Sequence, residues 1–149
     1  MNAGYLTGSI RFKKLDPDAK LPTKGSDGAA GLDLYSLDTA VIYPGEVCNI
    51  RSGLAVEIPR GYFGAIYARS GLSAIHGIRL ANDVGIIDSD YRGQIGIPLY
   101  NDSGKMYKIH KGDRVAQIII QPHLVCVPVE AESLSETDRG VDGFGSTGK

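Results

Sequence analysis

The sequence predicts an all-β fold, a sandwich or a barrel, and three observations carry that expectation. Twenty glycines and seven prolines punctuate the chain at short intervals. The runs between them, such as Tyr62 to Ala68 and Val115 to Ile120, are short and rich in β-branched and aromatic residues. Helical periodicity is nearly absent. Regular turn signals between short apolar runs are the pattern of sandwiches and barrels.

In chain order, Gly28-Ala29-Ala30-Gly31-Leu32-Asp33-Leu34 sets one carboxylate in a small, apolar run. Acids are depleted in strands. Asp33 therefore has two readings: a turn or solvent-facing residue, or a carboxylate that directs Mg²⁺, a hard ion that prefers oxygen and retains waters. Ala40-Val41-Ile42-Tyr43 is the next strand, closed by Pro44-Gly45. Gly53 to Ile58 and Tyr62 to Ala68 follow, joined by the turn Pro59-Arg60-Gly61. One short helix is predicted over Ser70 to His76, with Ser70 as its N-cap. Arg69, Ser70 and Gly71 at its start form either an ordinary cap with a solvated Arg or an anion site. In the second case free N–H groups, the helix dipole and a two-point guanidinium grip converge.

Asn82, in Leu80-Ala81-Asn82-Asp83-Val84, has the donors and acceptors to read a base edge; it is also an ordinary turn former. Gly85-Ile86-Ile87-Asp88-Ser89-Asp90-Tyr91-Arg92-Gly93 reads as a β-hairpin, with an acidic turn between apolar residues and a ring. It sets Asp88, a candidate general base, beside Tyr91, a flat apolar wall. In the next strand, Gly93 to Asn101, Pro98 predicts an edge or a bulge. Turns at Asp102-Ser103-Gly104 and Lys111-Gly112 lead to Val115 to Ile120. Gln117 interrupts that apolar run, either by in/out alternation or to hydrogen-bond a ligand.

Composition changes near the end, which divides the chain into a β core over 1–130 and a terminal segment over 131–149. Among residues 131–149 the core formers are Leu134, Val141 and Phe144. Such a segment buries too little surface to order itself and reads as a frayed tail. Arg139, a lone Phe144 and the pair Ser146-Thr147 among glycines allow another reading, an arm that stacks on a ring and meets phosphate with hydroxyls and backbone N–H groups.

The bulk numbers narrow the function. A length of 149 residues fits one domain. A net charge of −1 argues against a nucleic-acid polymer, which is bound through many Lys and Arg; a small phosphorylated ligand needs only a few local cations. Cys48 and Cys126 lack paired spacing and read as buried free thiols. The absence of a membrane-length apolar run and of a leader pattern predicts a cytoplasmic protein with no membrane partner. His76, His110 and His123 lack zinc-like spacing, and Ser70 has no evident His partner for acyl chemistry.

Taken together, five segments resemble the trimeric dUTP pyrophosphatase (dUTPase) family. They are Ala30 to Leu34, Arg69 to Leu72, Gly85 to Gly93, Gly112 to Gln117 and Arg139 to Gly148, in family order. The resemblance implies a jelly-roll-like β-barrel and a homotrimer whose three active sites each draw on all three chains. It implies that residues 131–149 are an arm that closes a site, in place of the frayed tail. The implied reaction is Mg²⁺-assisted hydrolysis of dUTP to dUMP and pyrophosphate, which keeps uracil out of DNA and supplies dUMP for thymidylate.

The same resemblance assigns roles. Asp88 activates the water that attacks the α-phosphorus, and Asp33 holds the metal through water. Arg69, Ser70, Gly71 and Gln117 contact phosphates. Asn82, the backbone of Gly85, Ile86 and Ile87, and Gly96 read uracil, and Tyr91 packs on the deoxyribose. Phe144 covers the base, while Arg139, Gly145, Ser146 and Thr147 belong to the closing arm. A ring against the sugar rejects UTP and a narrow hairpin rejects dTTP. The exchanged donor and acceptor of cytosine would leave buried groups unpaired, a mismatch that discriminates strongly. Three positions depart from the family pattern: Ala68 stands where Pro is usual, Asp142 where Gly is common, and Asp83 is unusual in the base-reading turn. Asp142 is expected to tolerate a positive φ. The nearest rival, a dCTP deaminase, needs a carboxylate where this chain has Pro98; a non-catalytic nucleotide-binding regulator is the other alternative.

Overall fold

The computed structural model describes residues 8–143. The expected arm residues Phe144, Gly145, Ser146 and Thr147 lie outside them. In chain order the elements are β1 (Arg11–Lys14), β2 (Thr23–Lys24), β3 (Leu32–Tyr35), β4 (Ala40–Ile42), β5 (Val47–Arg51), β6 (Leu54–Glu57), β7 (Tyr62–Ala68), α1 (Ser70–His76), β8 (Ile78–Leu80), β9 (Gly85–Ile87), β10 (Gly96–Asn101), β11 (Tyr107–Ile109) and β12 (Arg114–Pro122). A five-stranded sheet β2-β3-β12-β7-β9 and a three-stranded sheet β5-β10-β8 are joined by the pairs β1-β6 and β11-β4. All pairings are antiparallel.

One core fills the space between the sheets, and the architecture is the expected jelly-roll-like β-barrel. Leu34, Ile66 and Ile118 of the larger sheet join Ile50, Leu80, Ile97 and Leu99 of the smaller in one buried cluster. Along β10 the exposure alternates, with Ile97, Leu99 and Asn101 inside, because side chains of a strand face opposite sides in turn. The helix has the predicted bounds. No helix among the described residues is long and apolar enough to cross a membrane.

Four local expectations are corrected. Gly85 to Gly93 is not a hairpin ladder. Gly85–Ile87 pairs with β7, and the strand beyond the turn, β10, pairs with β5 and β8. The Asp88 turn itself forms, with the Tyr91 N–H donating to the Asp88 carbonyl at 3.2 Å. Pro98 lies in the central strand of its sheet, not on an edge. Its carbonyl accepts from the Ala81 N–H at 2.8 Å, just past the end of β8, so the missing Pro N–H falls at the last rung toward β8 and not in the middle of the ladder. The N-cap of α1 is Arg69, with no side-chain cap, and Ser70 is the first helical residue. Both thiols are free, yet Cys126 is exposed and Cys48 only half-buried.

Candidate active site

Two constellations form on the five-stranded sheet. The first is a cleft of about 270 Å³ at the β9 edge, lined by Ile66, Asn82, Gly85, Ile86, Ile87, Asp88, Tyr91, Gln94 and Gly96. Seven of the sequence-predicted residues therefore share one concavity. Asp88 leaves β9 at the start of its turn and is exposed. Tyr91 folds back over its own loop. Its hydroxyl donates to the Gln94 carbonyl at 3.0 Å, and a Cβ on Gly93 would displace that hydroxyl from its present seat. Asp88 also borders a wider cavity of about 890 Å³, lined among others by Arg11, Arg60, Phe63, Asp90 and Arg92.

The second constellation surrounds Asp33, whose side chain is nearly buried in β3. Its Oδ1 accepts from Arg69 Nε at 3.0 Å and its Oδ2 from Arg114 Nη1 at 3.2 Å. The turn or solvent-facing reading of Asp33 is thereby corrected: a lone acid persists in a strand because two guanidinium groups compensate its charge. Gln117 stands opposite Asp33 in the ladder, and its Nε2 donates to the Ala68 carbonyl at 3.2 Å. A Cβ on Gly31 would lie 2.7 Å from Gln117 Oε1, so glycine at 31 lets the amide lie against the chain.

A β-bulge brings this cluster together. The register of β12 on β3 shifts between Arg114 and Ala116, and Val115 and Ala116 are both buried in succession. Without the extra residue, Arg114 and Gln117 would face opposite sides; with it, both share the outer face with Asp33. Simple alternation could not reveal this. Arg114 falls inside the Gly112 to Gln117 segment, where nothing in the sequence singles it out, and Gln94 and Ile66, which line the cleft, carry no distinguishing sequence signal. Ser70 and Gly71 open α1 beside Arg69, with no acid in the first turn.

Among the described residues no three His, Cys, Asp or Glu side chains cluster to hold a metal. Mg²⁺ commonly uses only one or two carboxylates plus substrate phosphates and waters, so Asp33 suits it only as an outer contact to an ion carried on a phosphate chain. In the terminal segment, Arg139 Nε donates to the Asp142 carbonyl at 3.0 Å. The positive φ falls on Gly140, at 54°, and not on Asp142.

Within one chain the two constellations lie apart. Ile87 is opposite Gly64 in the β7–β9 register, so Asp88 continues opposite Phe63. Arg69 lies six residues further along the same chain, roughly 20 Å at strand rise.

A β-barrel with a narrow cleft at a carboxylate, and a guanidinium–carboxylate cluster at the far end of the same sheet, has the layout of a nucleotide-processing enzyme. The chain belongs to the dUTPase family, whose model matches residues 17–148. It is 46% identical over 140 residues to a deoxyuridine 5'-triphosphate nucleotidohydrolase of Nautilia profundicola, covering 94% of this chain and 99% of that protein. The corresponding protein of Kluyveromyces lactis is 43% identical over 145 residues, covering 97% of each. Among solved structures, the dUTPase of Staphylococcus bacteriophage 80alpha with dUpNHpp superposes with a TM-score of 0.90 at 30% identity, covering 96% of this chain and all of that one. A mutant dUTPase of phage phi11 of S. aureus, in which coordination of a structural Mg(II) ion was resolved, gives 0.79 at 27% identity, covering 85% of this chain and 98% of that one.

Proposed function

We propose that this chain hydrolyses dUTP to dUMP and pyrophosphate as a homotrimer in which each site is shared between protomers. The observation that carries the reading is the separation of Asp88 from Arg69 along β7, in a family whose relatives are named for dUTP hydrolysis. A site completed by neighbouring copies resolves that separation, and closed rotational symmetry supplies the neighbours.

In this reading uracil enters the β9 cleft. The backbone of Gly85, Ile86 and Ile87, Gly96 and the Asn82 amide meet its polar edge, and the Tyr91 ring rests on the deoxyribose. Asp88 holds the attacking water and takes its proton; a carboxylate, a weak base in bulk water, serves when fixed within hydrogen-bond reach. Arg69, Ser70, Gly71 and Gln117 of another protomer bind the phosphates, since phosphoryl transfer depends chiefly on positioning and charge compensation. Asp33 would hold a Mg²⁺ ion through water, and when bound with the triphosphate that ion would supply charge compensation. The arm over 131–149 closes the site with Arg139, Phe144, Gly145, Ser146 and Thr147. The physiological consequence is less uracil in DNA and a supply of dUMP.

The test uses two inactive variants. Asp88→Asn and Arg69→Ala are each expected to lose nearly all pyrophosphate release from dUTP. Refolded together, they are expected to regain activity, because a mixed trimer can pair the Asp88 of one chain with the Arg69 of another. No recovery in mixed trimers confirmed by sedimentation would rule out the shared site. Asp88→Asn turning over at the wild-type rate would rule out the base.

A further inference from the structure

We propose that Arg79 is a positioning residue for base recognition: braced on Tyr100, it holds Asp83 and so fixes the turn that presents Asn82 to the cleft. The proposal rests on the reading of the β9 cleft as the base site.

Asn82 lines that cleft, is exposed, and its amide group makes no hydrogen bond with the described residues. Its direction is therefore inherited from the backbone of residues 81–84. That backbone is unusual. Asp83, at φ 58°, is the one non-glycine residue at positive φ among those described. The Asp83 N–H donates to the Leu80 carbonyl at 3.3 Å and the Val84 N–H to the Asn82 carbonyl at 2.6 Å. L-residues resist the left-handed region, and Asp enters it when its side chain has a local partner.

Arg79 is that partner. Its Nη1 lies 3.3 Å from Asp83 Oδ1 and donates to the Leu80 carbonyl at 3.3 Å. Its Nε lies 3.6 Å from Asp102 Oδ2, and its Cζ stands 4.7 Å from the centroid of the Tyr100 ring. The guanidinium is thus fixed from β8, from β10 and from the loop beyond β10. Two of these contacts reach the turn beside Asn82: the one with Asp83 and the one with the Leu80 carbonyl, which also accepts from the Asp83 N–H. A planar fork stacked on a ring suits this bracing, and a lysine ammonium does not.

The experiment measures pyrophosphate release from dUTP, and equilibrium binding of dUMP, for Arg79→Met, Asp83→Gly, Asn82→Ala and the double variant Arg79→Met/Asn82→Ala. Wild-type turnover of dUTP tests the activity itself; the variants are compared by binding whether or not turnover is seen. Arg79→Met is expected to weaken dUMP binding and raise KM about fivefold, the equivalent of ~1 kcal/mol for an exposed ion pair, with kcat held within about twofold. Asp83→Gly keeps the left-handed backbone without the carboxylate and is expected to weaken dUMP binding in the same direction, by no more than Arg79→Met does. In the Asn82→Ala background, Arg79→Met is expected to add nothing. Unchanged dUMP affinity in both single variants overturns the proposal, even if thermal stability falls. A penalty of equal size in the Asn82→Ala background overturns it as well. Should Arg79→Met fail to fold, Asp83→Gly alone and combined with Asn82→Ala decides the question by the same comparison.

Discussion

Replacing Asp33 by Asn tests whether that carboxylate clamps the two arginines. The side chains of Asp33, Arg69 and Arg114 are 11%, 29% and 49% exposed, so the two contacts are not equal. A hydrogen bond to a charged group contributes ~1.5–3 kcal/mol net when sheltered, which suits Arg69. The Arg114 contact is half in solvent, where pairs contribute ~1 kcal/mol or less. Asn keeps one acceptor oxygen, so the Arg69 bond survives in neutral form and loses about half its value, while the Asn Nδ2 faces a second donor at Arg114. The expected loss is ~2 kcal/mol in sum. For a chain of this length that lowers Tm by ~4–8 °C. Thermal unfolding followed by circular dichroism reads it directly. In about 1 M salt the Arg114 share should shrink, because exposed pairs are screened and sheltered ones are not. KM for dUTP should rise as Arg69 loses its orientation. A Tm within about 1 °C of wild type, or a deficit that salt removes entirely, would refute the clamp.

Three further outcomes follow from the geometry. Asn101 is fully buried; its amide donates to the Ile42 and Lys105 carbonyls at 2.8 Å each and accepts from Ser103 N and Oγ at 2.9 and 2.7 Å. Asn101→Ala strands those groups and should cost ~2–4 kcal/mol in urea unfolding; a loss below ~1 kcal/mol would show that water replaces the amide freely. The Arg51 hydrogen bond holds Asp38 below the ordinary carboxylate value of 3.8, and Lys111 does the same for Asp18. With folded pKa values depressed, both pairs stabilise the fold above pH 3.8 and lose that stabilisation as pH falls below it. Asp38→Asn with Asp18→Asn should therefore flatten the acid limb of Tm against pH, and an unchanged limb would assign acid unfolding elsewhere. Leu124, Val127 and Val129 are 83%, 81% and 83% exposed in the single chain; if neighbouring copies cover them, Leu124→Ser with Val127→Ser should dissociate the trimer in sedimentation, and an intact trimer would place the interface elsewhere.

The barrel was legible because its strands obey local rules. Tyr62 to Ala68 and Ser70 to His76 have their predicted bounds, since punctuation by Gly and Pro and the switch of periodicity are short-range facts. Apart from the one-residue shift of the α1 N-cap, what failed depended on partners far along the chain. Gly85–Ile87 looked like one arm of a hairpin, yet β7 claims it; local turn chemistry does not decide which strand pairs. Pro98 predicts an edge or a bulge because its missing donor is visible in the sequence and the end of β8 is not. Asp33 was ambiguous for the same reason, since only the fold sets Arg69 and Arg114 against it.

The bulge in β12 shows how much chemistry a single extra residue controls. Gln117 stands opposite Asp33 on one side and opposite Tyr67 on the other. Moving Arg114 to the inner face would put a guanidinium among Leu34 and Ile118, both essentially inaccessible, where an unpaired charge is costly. The core thus forbids the regular register as strongly as the site requires the bulged one. The polar row on the outer face is held in place by the apolar packing beneath it. Because that row sits at the far end of β7 from Asp88, the rigidity that orders it also prevents one chain from bending its two constellations together. The proposed association between copies would unite them with the barrel unstrained, and the exposed Leu124, Val127 and Val129 after β12 would be the surface it covers.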